Sequence, residues 1–397
     1  MKKASASLLE TCPNCGGSSL TIVYKQTNVP AHSVLLFNTR EEARNFPKGD
    51  IALGFCQQCG FITNLAFDTS LHNYSAKYEA TQSFSDTFNA FHKNLAANLI
   101  EKYTLRDKDI IEIGCGQGEF LTLLCEMGSN RGIGFDPAYL GNTNPDSQLT
   151  FIPDFYSQKY ASYKADFICC KMTLEHIPNT ADFVKTVRQS IDDSYNTTVF
   201  FQIPEVTRIL REVAFWDIYY EHCSYFSPVS LTYLFQHSGF QVLDVYTDYD
   251  DQYLMIEAKP VSEPQHQDDN FAQALNALKE DVAYFVDNYP GKVAAWQEQL
   301  QIAKNEGQRV VIWGAGSKGV AFLTALENQN LIEYAVDINP RKHGTYMAGT
   351  GQKIVGPEFL CEYQPHKVIV MNPIYCPEIQ HSLDQLGVTA ELIPITL

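Results

Sequence analysis

Apolar residues recur along the chain at two different periods, and the switching between them sets the architecture. Phe84, Phe88, Phe91, Leu95 and Leu99 fall at helical spacing, which predicts a helix over 83–103. Short apolar runs then appear at 109–113, 132–135, 165–170 and 199–203, the last stopped by Pro204. A helical stretch over 119–127 separates the first two. Strands alternating with helices predict a parallel sheet covered on both faces, an α/β fold. Runs at 240–246 and 253–258 add two further strands.

The ends of the chain differ from this middle. The first 70 residues hold LTIVYKQ and IALGFCQQCGFITNL, short strands with turns, which predict a small β-rich module. Residues 260–269 are polar and rich in Pro, Gln, Asp and Glu, and read as a linker. Residues 271–306 are helical in pattern, with a break expected near Pro290-Gly291. The α/β pattern then restarts: a strand at 309–313, a glycine turn at 314–319, a helix at 320–328, and strands at 334–336 and 367–371. The expected organisation is a module over 1–70, an α/β domain over 71–259, linker and helices over 260–307, and a smaller Rossmann-like domain over 308–397.

Composition narrows the function. The chain has 397 residues, with 29 Lys plus Arg against 46 Asp plus Glu and a formal net charge of -17. That excess of acid argues against a broad nucleic-acid or anionic-membrane surface, and leaves room for a local basic pocket. No run reaches the ~18 apolar residues of a membrane helix, and MKKASASLLETCPNC has no adequate apolar segment for a signal peptide. A cytoplasmic protein, monomer or homodimer, is expected. In a reducing compartment the 11 cysteines are not read as disulfides.

Four of those cysteines form two CxxC pairs, Cys12-Pro-Asn-Cys15 and Cys56-Gln-Gln-Cys59. Each pair puts two thiolates on one tight turn, and zinc takes four soft ligands in a tetrahedron, so a structural zinc is expected. The alternative is a pair of free-thiol turns.

Glu112-Ile-Gly114-Cys115-Gly116-Gln-Gly118 follows an apolar strand and opens a helix. Its glycines let the backbone approach a ligand, and the helix N-terminus favours an anionic group. Asp136, with Pro137 after it, ends the next strand where an acid takes ribose hydroxyls. The pattern resembles the first motif of class I S-adenosylmethionine methyltransferases more than that of dinucleotide binders. In such enzymes an acid after the third strand often meets the adenine, which marks Asp154 with Phe155. The loop after the fourth strand, here Lys171 to Pro178 with His176, lies beside the sulfonium.

Tyr219-Tyr220-Glu221-His222-Cys-Ser-Tyr225 gathers an imidazole, a carboxylate and phenols. Those groups suit removal of a proton next to a carbonyl, and packing is the competing reading. Gly314-Ala-Gly-Ser317-Lys318-Gly is a second glycine turn, with Asp337 ending the following strand. Lys318 suits a phosphate. The readings are a domain that helps hold a nucleotide-linked substrate, a bound dinucleotide, or a scaffold.

Taken together these motifs resemble the three-domain sugar C-methyltransferases of deoxysugar pathways, over nearly the whole chain. The paired CxxC, Tyr74-x3-Tyr78 leading to Ser83, EIGCGQG, WDIYYEHCSYFS, VIWGAGSKG and VDINPRKHGTYMAGT carry the likeness. It implies a class I methyltransferase domain flanked by the zinc module and the smaller Rossmann-like domain. It implies S-adenosylmethionine as cofactor and methylation at C3 of a dTDP- or GDP-linked 4-keto-6-deoxy sugar. The family motif usually reads Tyr-His-Glu-His; here Tyr220 replaces the first His. His222 is then the expected base, with Tyr219 and Glu221 stabilising the enolate. Other expectations are a methyltransferase on a different metabolite, at carbon, oxygen or nitrogen, and a zinc-containing binding or scaffold protein.

Overall fold

A computed structural model describes residues 8–71, 79, 81–141, 148–192, 196–262, 270–326 and 331–396. The described residues form three sheets. The central one has seven strands in the order Phe240–Asp248, Tyr253–Pro260, Thr198–Pro204, Phe167–Lys171, Asp109–Ile113, Arg131–Phe135 and Leu149–Ile152. Tyr253–Pro260 runs antiparallel to both of its neighbours, and the other strands run parallel to one another. Strand order reverses between Asp109–Ile113 and Phe167–Lys171, which opens a crevice beyond their carboxyl ends. Both strands are almost wholly buried, as continuous apolar runs between two helical layers should be.

The C-terminal sheet is five parallel strands: Lys353–Val355, Tyr334–Val336, Val310–Trp313, Lys367–Val370 and Glu391–Pro394. The first and last of these are absent from the hydrophobic pattern, being only three and four residues long and exposed at one position. The order again reverses beside the first strand, Val310–Trp313, so this sheet has its own crevice.

The N-terminal sheet is antiparallel, in the order Leu20–Pro30, Lys48–Cys56, Ile62–Asn64 and Ser224–Tyr225. Its last strand comes from the segment EHCSY, far along the chain. The small module is therefore stitched directly to the segment that carries His222.

Residues Phe271–Asn305 form one helix through Pro290, not two. Leu275, Leu278, Val282 and Phe285, then Trp296, Leu300 and Ala303, keep one buried stripe across the proline. Pro290 costs the bond to the carbonyl of residue 286, but Val286 and Pro290 are both exposed, on the face of the helix open to solvent. The helix ties the parts together: Phe285 and Tyr289 pack on Tyr24, Tyr289 on Phe215, and Trp296 on Phe322. Among the described residues, no helix is long and apolar enough to cross a membrane.

Candidate active site

A cavity of about 1420 Å³ lies where the carboxyl ends of the central and C-terminal sheets face each other. Its wall includes Glu112, Asp136, Lys171, His222, Lys318 and Asp337, each placed by a different strand end or turn.

The EIGCGQG loop sits on one side. Gly114 has φ +71°, and a Cβ there would lie 1.9 Å from Thr173 Oγ1, so glycine is required on both counts. Gly118 caps helix Glu119–Gly128 and stands off the cavity wall, with the Phe151 ring where a Cβ would go. Asp136 accepts from the Gly116 N–H (2.9 Å) and the Ala138 N–H (2.7 Å), which aims a half-buried carboxylate into the cavity behind the loop.

Glu112 is buried, and its Oε2 accepts from the Leu121 N–H at 3.0 Å. Burial pushes its carboxyl up to about 8, against the opposing pull of Lys171 and the Leu121 amide. Lys171 is buried with it; its Nζ is 2.9 Å from His92 Nε2 and 3.5 Å from the Phe120 ring centre. Burial pulls that ammonium down to about 8, partly offset by Glu112. Both groups are buried, and each favours the charged form of the other.

Asp154 faces Lys159, and Tyr160 donates to it at 2.7 Å, while Phe155 stands exposed at the cavity rim. Ser83 is exposed, hydrogen-bonded to Thr81, and outside the cavity wall. Ser85 is the residue that caps helix Asp86–Tyr103 there, by accepting from the Phe88 N–H. Tyr74 and Tyr78 lie outside the described residues.

The Tyr219–Tyr225 segment divides into two sets. Tyr219 and His222 line the cavity with ring centres 4.1 Å apart, and the His176 ring meets His222 edge-on at 4.9 Å. His176 Nδ1 lies 2.9 Å from the Glu221 carbonyl oxygen, so Nδ1 carries the proton. Burial holds the Tyr219 phenol well above its ordinary value, and so keeps it a hydrogen-bond donor.

Tyr220 and Tyr225 are corrected: neither reaches the cavity. The Tyr220 hydroxyl accepts from the Asp68 N–H (2.8 Å), and its ring packs on Phe67 and over Gly49. Tyr225 sits in the N-terminal sheet and donates to the Tyr219 carbonyl (3.3 Å). Glu221 lines the cavity with Tyr219 and His222, but its carboxylate is not placed to stabilise an enolate. Its carboxylate is already taken: His32 Nδ1 lies 3.1 Å from Oε1, and Oε2 accepts from the Ser33 N–H (2.9 Å) and hydroxyl. Burial would raise this carboxyl, but those bonds hold it below the ordinary glutamate value. An anion that only accepts cannot donate to an enolate.

The second glycine turn is similarly engaged. The Ser317 hydroxyl is 2.8 Å from that of Ser33. Lys318 Nζ lies 3.0 Å from Asp217, which also takes Arg208 at 2.5 Å, and donates to Gln252 at 2.9 Å. Asp337 accepts from the Ala315 and Asn339 N–H groups and pairs with Lys342 at 3.0 Å. Gly314, with φ +116°, lets this turn pass Met371. This construction matches that of Asp136 and its loop. His32, Ser33 and Gln252 were not singled out from the sequence, since each lies far along the chain from the residue it holds, and neither was Arg208, nine residues from Asp217.

The four CxxC sulfurs lie within 4.8 Å of one another, with Cys12 and Cys59 at 3.7 Å and Cys15 and Cys56 at 3.6 Å. Sulfurs on a tetrahedral zinc at ~2.3 Å stand about 3.8 Å apart. The donor set and spacing fit that ion, and the distances are far beyond a disulfide bond.

Family profiles match two stretches: a methyltransferase domain over residues 85–245 and a C-methyltransferase C-terminal domain over residues 267–391. The C-methyltransferase NovU of Streptomyces niveus is 26% identical over 298 residues, covering 70% of each chain. Solved structures resemble part of the chain. The 1,6-didemethyltoxoflavin-N1-methyltransferase of Burkholderia thailandensis is 10% identical with a TM-score of 0.34, covering 54% of this chain and 96% of that one. Magnesium protoporphyrin IX methyltransferase from Synechocystis is 15% identical with a TM-score of 0.33, covering 44% and 84%.

The strand order, the glycine loop with its acid on the next strand, and the matched methyltransferase domain define a class I methyltransferase that uses S-adenosylmethionine. The second matched domain and the NovU relative make the chain similar to C-methyltransferases over most of its length.

Proposed function

We propose that this enzyme places a methyl group on C3 of a nucleotide-linked 4-keto-6-deoxy sugar through an enolate. The observation that carries the reading is His222, buried beside Tyr219 on a wall shared by the cofactor loop and the C-terminal sheet. Bound S-adenosylmethionine supplies an electrophilic methyl group. Asp136 and the loop amides would hold its ribose and tail, and Phe155 at the rim would flank its adenine ring.

The chain's own part is proton removal and alignment. His222 takes the C3 proton, which the adjacent keto group makes acidic, and the C–H electrons pass to the keto oxygen as the enolate. Tyr219 donates a hydrogen bond to that oxygen. The enolate electrons then return through C3 to the methyl carbon, re-forming the keto group as the carbon–carbon bond forms and the methyl–sulfur bond breaks with S-adenosylhomocysteine as leaving group, and His222 gives its proton to solvent before the next turnover. Glu221 positions this machinery without touching the substrate: its backbone carbonyl orients His176, and its carboxylate ties the segment to His32 and Ser33. Lys318, Lys342, Arg208 and Arg341 also line the cavity, where a diphosphate would compete for them with Asp217, Asp337 and Glu79. The Cys12, Cys15, Cys56 and Cys59 set holds a structural zinc, closed to substrate because all four positions are thiolates.

The test is product analysis. The protein is incubated with methyl-labelled S-adenosylmethionine and dTDP- and GDP-linked 4-keto-6-deoxy sugars, and products are read by carbon NMR. Label in a new carbon–carbon bond at C3 is the expected result. Label on oxygen or nitrogen, or no turnover on either nucleotide series, overturns the reading.

A further inference from the structure

Glu175 stands out among the buried groups. It follows the strand Phe167–Lys171, in the short turn Leu174–His176, and is 1% exposed. Neither of its carboxyl oxygens has a hydrogen-bond partner. Burial pushes the carboxyl up to about 8. An orphan carboxyl of this kind is rare, because buried polar atoms are nearly always paired.

What surrounds it suggests the missing partner. One ligand atom each from Glu175, His176 and His222 lie within 4.8 Å of one another. Two imidazoles and one carboxylate are the donor set of many transition-metal sites. His176 also has the orientation that metal-bound imidazoles adopt. Its Nδ1 donates to the Glu221 carbonyl, which leaves Nε2 with its lone pair. The Glu221 side chain is itself fixed by His32 and Ser33, so the imidazole has a rigid outer support. Around an ion with bonds of ~2.0–2.2 Å, such donors stand about 3.3 Å apart, so modest side-chain rotation closes the set.

We propose that Glu175, His176 and His222 form a second metal site, distinct from the four cysteines, that takes a divalent transition ion such as Zn²⁺, Co²⁺ or Ni²⁺. Occupancy uses the lone pair with which His222 removes the substrate proton, so the ion inhibits methyl transfer. Binding rests on the geometry of the three side chains alone; inhibition rests also on the proposed role of His222. Mg²⁺ is a poor occupant, because it prefers oxygen donors.

The test uses the full-length protein with its cysteine site loaded with zinc. Co²⁺ is titrated in and followed by visible absorption and equilibrium dialysis, with methyl transfer measured in parallel. The expected result is one additional Co²⁺ per chain, with ligand-field bands and no sulfur charge-transfer band. Glu175→Gln weakens that binding by at least about 10–100-fold while keeping the wild type's circular dichroism and its zinc on the four cysteines. Should Glu175→Gln fail to fold, His176→Gln serves the same comparison. No uptake by the wild type, or equal uptake by a folded variant, overturns the site. Uptake that Glu175→Gln abolishes, but that leaves turnover unchanged, keeps the site and removes His222 as the base.

Discussion

Glu221 gives the sharpest perturbation, because one buried carboxylate joins three parts of the molecule. It accepts from the Ser33 N–H and hydroxyl, lies beside His32, and through Ser33 reaches Ser317 in the second glycine turn. In Glu221→Ala the Ser33 amide and the His32 ring lose their acceptor in a buried place. Each unmet buried donor costs about 1–3 kcal/mol, and removing one partner of a buried pair costs about 3–5 kcal/mol in all. Glu221→Gln keeps the shape and one acceptor oxygen, so its expected loss is smaller, about 1–3 kcal/mol. Urea unfolding followed by fluorescence measures both, as midpoint shifts at constant slope. Activity should fall further than the folded fraction accounts for, because His176 is oriented by the Glu221 backbone and His222 is the next residue. Cofactor affinity should change little, since the Glu221 carboxylate is held by His32 and Ser33 while Asp136 is held by the amides of Gly116 and Ala138. A Glu221→Ala protein with an unchanged midpoint and full turnover would refute the reasoning, and so would one whose chief defect is loss of S-adenosylhomocysteine binding.

Three further outcomes are expected. Asp136→Ala weakens S-adenosylhomocysteine binding by about 10–100-fold in calorimetric titration, the worth of hydrogen bonds to a charged acceptor, and an unchanged dissociation constant would move the ribose elsewhere. Removal of zinc by a strong chelator lowers the melting temperature, because metal binding to a closed thiolate site is part of folding, whereas an unchanged melting curve after verified removal denies the metal a structural role. Glu112 keeps a proton in the folded state that the unfolded chain loses above the ordinary glutamate value, so stability declines as pH rises from there through about 8. Glu112→Gln removes that decline, about 1.4 kcal/mol per pH unit in this window, and urea midpoints that fall equally in both proteins would contradict it.

Much of the fold was legible because the parallel strands are nearly continuous apolar runs and the helices between them have one apolar stripe. The CxxC pairs and the Glu112–Asp136 relation were legible for another reason: their ligand groups sit at fixed offsets from a turn or a strand end. What escaped depends on distant partners. Ser224–Tyr225 is a strand only because Ile62–Asn64 lies beside it. The helix through Pro290 persists because its buried stripe packs on residues from 24 to 322 and the proline faces water. Tyr220 reads as an active-site group from its neighbours in sequence, yet its hydroxyl meets Asp68, and the Glu221 carboxylate, although on the cavity wall, is held by His32 and Ser33. Adjacent residues on an irregular segment face opposite ways, and no local pattern says which of them meets the cavity.

The most direct test of the enolate mechanism is proton exchange without methyl transfer. The protein is incubated in deuterium oxide with a nucleotide-linked 4-keto-6-deoxy sugar and S-adenosylhomocysteine, and deuterium at C3 is followed by NMR. The account predicts steady exchange at C3 by the wild type, reduced by about 10²–10⁴-fold in His222→Asn. Absence of exchange in a wild type that still methylates, or undiminished exchange in His222→Asn, would contradict it.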